Sequence, residues 1–443
     1  MLIEHLADED LEVRVLAAEY LGILQAPAAT KKLTSLAGPG NPTRLRHAAI
    51  DALGSIGRVA PSPAATRALV DVLREGPTEL HASAATALAY IADPSIVPLL
   101  IAQARADRGP TRPEIVRALG GTLRSRPDPA AREALRELSD DSSIKVAIAA
   151  IAGLAAAQQL DDAPKLRSLV ERAASDRRRA AAAALGDLHD LGAIGVLGDA
   201  LAVNDDRLVG DAVWALGEIA ASAPADPRVR PLVDRFLYVG KHGGWAAAID
   251  ATGALGRLLW ATPAGTRVQL LGSRLPSLQN LAFDKSRLVR INTAFALASL
   301  TGNAAAIKTL TKLLGDVSPH VRIAAATGLA RASKGASREA AATIKRALDR
   351  AARDELEPIV QAAITAARAG APAPVPRDNW RTFQVVDPSA EDAPVRQEPY
   401  FVHGPDGVVW AGYTDARGEL HSEHVAAGTE QEHVRPASRE AEY

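Results

Sequence analysis

Apolar and polar positions along the chain follow a ten-residue pattern, clearest in VRIAAATGLA from Val321 to Ala330. It reads apolar, cationic, two variable positions, then small residues leading to a Leu and a second small residue. Aligned copies stand at Val13 to Gly22, Leu45 to Gly54, Leu80 to Ala89, Leu208 to Gly217 and Val289 to Ala298. Weaker copies begin at Thr111, Ile144, Arg177, Ala247 and Leu356, giving eleven in all. The Leu position runs from Leu21 through Leu53, Leu216 and Leu329 to Ile364, in steps of 31 to 42 residues. A period held over most of a chain predicts a solenoid.

A second helical segment precedes the motif in each period. Examples are Ser62 to Glu75, Asp128 to Asp140 and Asn303 to Asp316. In the last, Ile307, Leu310, Leu313 and Leu314 form one apolar stripe. Asp, Ser or Asn directly before Pro or Ala reads as an N-cap and a first-turn residue. Gly22, Gly54, Gly186 and Gly217 read as standing near the ends of the motif helices. Such a helix-turn-helix unit cannot bury both its faces alone, so neighbours must stack. The predicted fold class is therefore all-α, a right-handed α-solenoid of about eleven stacked repeats over residues 1–370.

An Asp stands six residues before the motif Arg at Asp8/Arg14, Asp284/Arg290 and Asp316/Arg322. Glu75/His81 is a weaker echo, and the seventh copy has Val209 at the cationic position. This pattern resembles the HEAT repeat, in the short bacterial form of phycobilisome-lyase-like proteins, over about Met1 to Gly370. The resemblance implies the stacked-helix fold. It leaves the role open among scaffolds, adaptors, lyase subunits and nucleic-acid enzymes.

Two irregularities interrupt the period. The first unit has only a stub, Leu2 to Ala7, before its motif, read as a frayed cap or as a sign that the natural chain begins upstream. The eighth is longer on both sides and is expected to carry loop insertions at Tyr238 to Ala247 and Trp260 to Gln269. A Pro/Ala linker at 371–379 ends the helical rhythm. Short alternating stretches between Gly and Asp turns then predict a small antiparallel β segment over 380–428. The final residues, 429–443, read as a disordered tail.

Composition narrows the chemistry. The 443 residues are 47% hydrophobic but only 4% aromatic, as expected for helices packed through small side chains. There is no Cys, which excludes disulfides, thiolate metal sites and thiol catalysis. No signal peptide and no membrane span is read, so a cytoplasmic protein is expected. The usual enzymatic motifs are absent, and no cofactor is implied. His421, His424 and His433 are read as solvated, because strand geometry does not converge them on a metal. Trp214, one turn after Asp211, is read as core filling, with ligand stacking as the sharper alternative. Arg177, Arg178 and Arg179 read as a solvated helix start whose three cations call for a local anionic contact.

Charge carries the functional expectation. Residues 241–370 hold 18 Lys/Arg against 8 Asp/Glu, whereas residues 371–443 hold 6 against 13. Either the acidic tail packs on the basic repeats, or those repeats bind an acidic partner. Lys285, Arg287 and Arg290, then Lys308 and Lys312, Arg322, and Lys345 and Arg346 are the candidate partner-binding residues. The expected role is a non-catalytic protein-binding scaffold or adaptor using the concave face and this basic surface. A phycobilisome-lyase-like, tetrapyrrole-handling subunit is the first alternative, with Lys241, His242 and Trp245 as its candidate ligand loop. Nucleic-acid binding through residues 241–370 is the second.

Overall fold

The computed structural model describes residues 2–91, 93–106, 109, 111–125, 127–158 and 160–370. Beyond Gly370 it describes only the backbone of short strand segments between Arg381 and Pro436. The expected linker at 371–379, the side chains of His421, His424 and His433, and most of 429–443 therefore lie outside the described residues.

Among the described residues each sequence copy falls in a helix, from Leu11–Ile23 through Thr43–Gly57 and Asp206–Ser222 to Pro358–Arg368. These eleven are referred to as the first to eleventh motif helices. Shorter leading helices alternate with them, such as Pro63–Glu75, Pro129–Leu138 and Ala304–Leu313. The expected N-caps form: the Asp128 carboxylate accepts from the Ala131 amide at 2.9 Å, and the Asn303 side chain from Ala306 at 3.0 Å. Each satisfies an amide that the helix itself leaves without a partner.

The helices stack as an all-α solenoid in two compact units, Met1–Leu169 and Val170–Tyr443. Within each, a motif helix packs on the next motif helix and on the leading helix of its own repeat. The Leu positions make the core: Leu53, Leu88, Leu216, Leu255 and Leu329 are fully buried or nearly so. At about 1.5–3 kcal/mol for each buried side chain, a shared core of this kind offsets chain ordering only as an array.

Gly22 and Gly186 stand next to last in Leu11–Ile23 and Ser175–Asp187, near the helix ends as expected, whereas Gly54 and Gly217 lie further inside Thr43–Gly57 and Asp206–Ser222. They mark where successive motif helices touch. A Cβ on Gly54 would stand 2.8 Å from the Ala87 Cα, and one on Gly186 would stand 2.8 Å from the Ala215 Cα. Backbone thus meets backbone at the same position in both units, which is why the motif is so rich in Ala and Gly.

A second recurring contact is ionic. Arg290 grips both carboxylate oxygens of Asp316 in the next repeat, each at 2.8 Å, and donates to the Asp284 carbonyl of its own turn. Arg322 does the same one repeat later, with the Glu355 carboxylate at 2.7 and 2.8 Å and its own Asp316 carbonyl at 2.9 Å. In the first unit Arg112 reaches Asp141 at 2.7 Å. At Asp284/Arg290 and Asp316/Arg322 the six-residue spacing therefore reports an arginine bonded to its own turn backbone and to the acid of the following turn, whereas at Asp8/Arg14 the Arg14 Nε is buried without a hydrogen-bond partner among the described residues.

The two stretches of the eighth unit expected as loops are mostly helical: the seventh and eighth motif helices run to 17 residues each and the helical pieces Arg267–Leu271 and Leu275–Leu281 are added, while residues 223–231 connect Asp206–Ser222 to Leu232–His242 without helix. Among the described residues no helix is long and apolar enough to cross a membrane.

Candidate partner-binding surface

Two consecutive leading helices, Ala304–Leu313 and Arg338–Asp354, frame a groove of about 790 Å³. Ile307, Leu310 and Leu313 of the first, and Ile344 and Leu348 of the second, point into the core. That turns the polar faces outward. The charged lining is Lys312, Asp316, Arg322, Arg346, Arg350, Asp354 and Glu355.

These charges do not count equally. Asp316 is neutralised by Arg290, and Glu355 by Arg322. The Arg322 guanidinium holds the Glu355 carboxyl below its ordinary value against the opposing effect of burial. What remains is Lys312, Arg346 and Arg350, all exposed, with Asp354 the acidic lining group that no arginine engages among the described residues. Lys312 sits 5.7 Å from the Phe283 ring centroid, close enough for a cation–π contact. Arg346 is steered by Thr343, whose hydroxyl accepts from it at 3.3 Å. The groove is therefore a cationic trough with apolar patches at Leu314 and Leu356.

Of the candidate residues, Lys308 and Lys312 lie one turn apart on Ala304–Leu313, and both are exposed. Lys345 is exposed but pairs with Asp349 at 2.7 Å. Lys285 is exposed in the turn before the ninth motif helix, and Arg287 is half-buried. Arg290 and Arg322 are committed to the inter-repeat pairs, so the structure gives them a holding role, and the free cations do not form one unbroken row. Lys241 and His242 end the helix Leu232–His242, and Trp245 begins the eighth motif helix across Gly243 and Gly244. They form a tight helix-to-helix corner rather than a loop. Trp245 and Tyr238 are exposed there, with the Tyr238 and His242 rings 4.9 Å apart.

A second group of ionisable side chains was not singled out by spacing alone. The third position of one motif copy meets the fourth position of the next. His47 and Ser83 bond at 2.8 Å, Arg179 and Asp211 at 2.8 Å, and the Asn292 amide donates to the Ile249 carbonyl at 3.0 Å. Arg179 is buried against Asp211, so of the three arginines expected to be solvated, this one is not, and Asp211 is the anionic contact. Trp214 is half-buried with its ring over Gly186. Asp250, the fourth-position residue of the eighth copy, is 7% exposed and makes no hydrogen bond or ion pair among the described residues. Burial pushes its carboxyl well above the usual carboxylate range, and neighbouring Asp211 and Asp206 push the same way while Arg257 opposes them. The available signal was an acid at the fourth position of two successive copies. No group of three metal-ligating side chains is found among the described residues.

Residues 1–81, 66–155 and 275–368, more than half of the chain, match the family model for HEAT repeats. No curated protein sequence matches the chain. Among solved structures, yeast importin-β (Kap95p) superposes with a TM-score of 0.57 at 15% identity, over 84% of this chain and 56% of that one. Kap95p studied with RanGDP gives 0.55 at 14% identity, with the same coverage. The complex of CpcE and CpcF of phycocyanin lyase from Nostoc sp. PCC7120 gives 0.34 at 20% identity, over 53% of this chain and 91% of that one. The chain thus spans about half the length of the importin-β structures it matches, and at this identity the likeness is one of fold.

Proposed function

This chain belongs to the HEAT-repeat family, and from that premise we propose that it is a non-catalytic binding scaffold whose C-terminal repeats dock an acidic protein segment. The observation that carries the reading is the trough between Ala304–Leu313 and Arg338–Asp354. After internal pairs are subtracted, it retains Lys312, Arg346 and Arg350 beside apolar Leu314 and Leu356. An extended segment with alternating acidic and apolar side chains fits that lining. The solved relative Kap95p is described with a protein ligand, RanGDP, which supports protein binding as the general mode. The acidic region beyond Gly370 is the nearest candidate for such a segment. Its strand Val409–Tyr413 runs beside the eighth, ninth and tenth motif helices, which supports a tail that folds back on the array along the motif helices, away from the trough.

Fluorescence anisotropy with a labelled acidic-apolar peptide tests the proposal, comparing the full chain with K312E, R346E and R350E variants. Binding should weaken with salt and be lost in the double and triple variants. Equal binding by the triple variant would overturn it. Tighter binding of duplex DNA than of the peptide would favour the nucleic-acid reading, with a steep salt slope. The exposed Tyr238, His242 and Trp245 corner supports a second reading, a tetrapyrrole-handling site. A visible-range titration with a linear tetrapyrrole, read against a W245A variant, decides it.

A further inference from the structure

The contact between third and fourth positions is made in several places and is incomplete in one. In the sixth and seventh copies the pair is Arg179 with Asp211, a buried arginine on a buried carboxylate at 2.8 Å. In the eighth and ninth it is the Ile249 carbonyl with the Asn292 amide at 3.0 Å. In the seventh and eighth the same register sets Gly210 against Asp250. Gly210 has no side chain to offer, so the second aspartate of the row lacks what the first one has.

We propose that the Asp250 carboxyl, which the register sets opposite Gly210, receives a guanidinium or ammonium side chain from a partner protein, in the way Asp211 receives Arg179. Two independent features point to a ligand there. The Asp250 carboxyl is nine-tenths buried and without a partner among the described residues. One repeat earlier, the same register supplies the template for the group that would complete it. A buried nitrogen of Arg179, Nη2, also has no hydrogen-bond acceptor among the described residues. The charged groups facing Asp250 are Asp211 and Asp206 from the seventh motif helix and Arg257 from its own. The ninth motif helix presents Asn292, whose amide is already engaged, and the leading helix Leu232–His242 presents Gly240 against Thr252. Asp211 is already paired with Arg179 and Arg257 with Glu218, so among the described residues Asp206 is the unpaired charge facing Asp250, and it favours an incoming cation. A neutral or acidic side chain would find no such complement.

Burial favours the protonated form of Asp250 and an arriving cation favours the ionised one, so binding and proton release are coupled. This site has the opposite charge preference to the trough in the later repeats and does not depend on it.

The test is isothermal titration of the full chain with an acetylated, amidated tri-arginine peptide and with its tri-alanine counterpart, in two buffers of different ionisation enthalpy. Wild-type protein should bind tri-arginine, ignore tri-alanine, and release up to one proton per peptide at neutral pH. D250N should weaken binding at least tenfold and abolish the proton release. G210R, which supplies the missing arginine from within, should remove binding as well. If G210R fails to fold, D250N and the proton count decide alone. Equal binding by wild type and D250N, or binding without proton release, overturns the proposal, and so does no binding by wild type. The K312E and R346E variants should leave this titration unchanged, so failure here and failure of the trough proposal are separable.

Discussion

Replacing Gly54 with Ala is the most informative single change, because local and tertiary effects have opposite signs. In a helix interior the exchange gains about 1 kcal/mol from propensity. The new Cβ, however, would stand 2.8 Å from the Ala87 Cα and 2.9 Å from its Cβ. Carbon pairs settle at about 3.5–4.0 Å. The obstacle is backbone of the next motif helix and cannot rotate aside, so the two helices must separate by roughly 1 Å. Overpacking of that kind costs about 1–3 kcal/mol. We expect net destabilisation of up to about 2 kcal/mol, concentrated in the second and third motif helices because stability in an array is largely local. Hydrogen exchange over Thr43–Gly57 and His81–Ile91 reads it directly. Gly195 is the control: it lies inside Ile194–Ala200, and a Cβ there meets nothing within 4 Å. G195A should therefore hold or raise stability, by at most about 1 kcal/mol. If G54A protects those helices as well as wild type, the close-approach account is wrong.

Three further outcomes follow from the ionic contacts. D316A removes both the Arg290 partner and the bond to the Ser318 amide; breaking a buried pair costs about 3–5 kcal/mol, and this one, some 10% exposed on each side, should sit at the lower end, read as a drop in urea midpoint. The Glu355 carboxyl is held below its ordinary 4.5 by Arg322, so its contribution is complete above that pH and lost as pH falls through the lower, folded value. R322M should flatten this part of the acid limb in a stability-versus-pH series. Asp250 behaves in the reverse sense: its raised folded value means that stability falls as pH rises above the unfolded value of about 3.9. D250N should therefore raise the Tm at pH 7 more than at pH 4, and an equal shift at both would refute the buried-acid account.

Much of the architecture was legible because a solenoid repeats its instructions. The Leu register located the helices, and Asp128 and Asn303 announced their caps. The functional detail was less legible, since it depends on which position of one repeat faces which position of the next. Arg290 and Arg322 look in sequence like free surface cations, and only the stacking offset shows that each holds the next turn. Gly54 and Gly217 look like helix ends because glycine often is one, whereas here its missing Cβ serves the neighbouring backbone. The length of the eighth unit suggested insertion, but much of the surplus had helical propensity enough to prolong the helices instead. Asp250 could be noticed only by setting the copies in register and asking what Gly210 fails to supply.

The Arg290 and Arg322 contacts between successive turns both point to a later acid, although elsewhere Arg44, Arg257 and Arg274 reach back to Glu12, Glu218 and Asp234. Arg290 depends on a carboxylate that comes later, while the turn holding that carboxylate is already closed by its own Arg322 and by the Ser318 amide. A cut between the ninth and tenth modules would thus leave unequal pieces: the upstream end loses the acid that shields its guanidinium, and the downstream end loses that guanidinium but keeps the Ser318 and Arg322 bonds that close its turn. Shortening from the front should therefore be gentler than shortening from the back, and a foreign module grafted behind Arg290 must bring an acid at the place of Asp316.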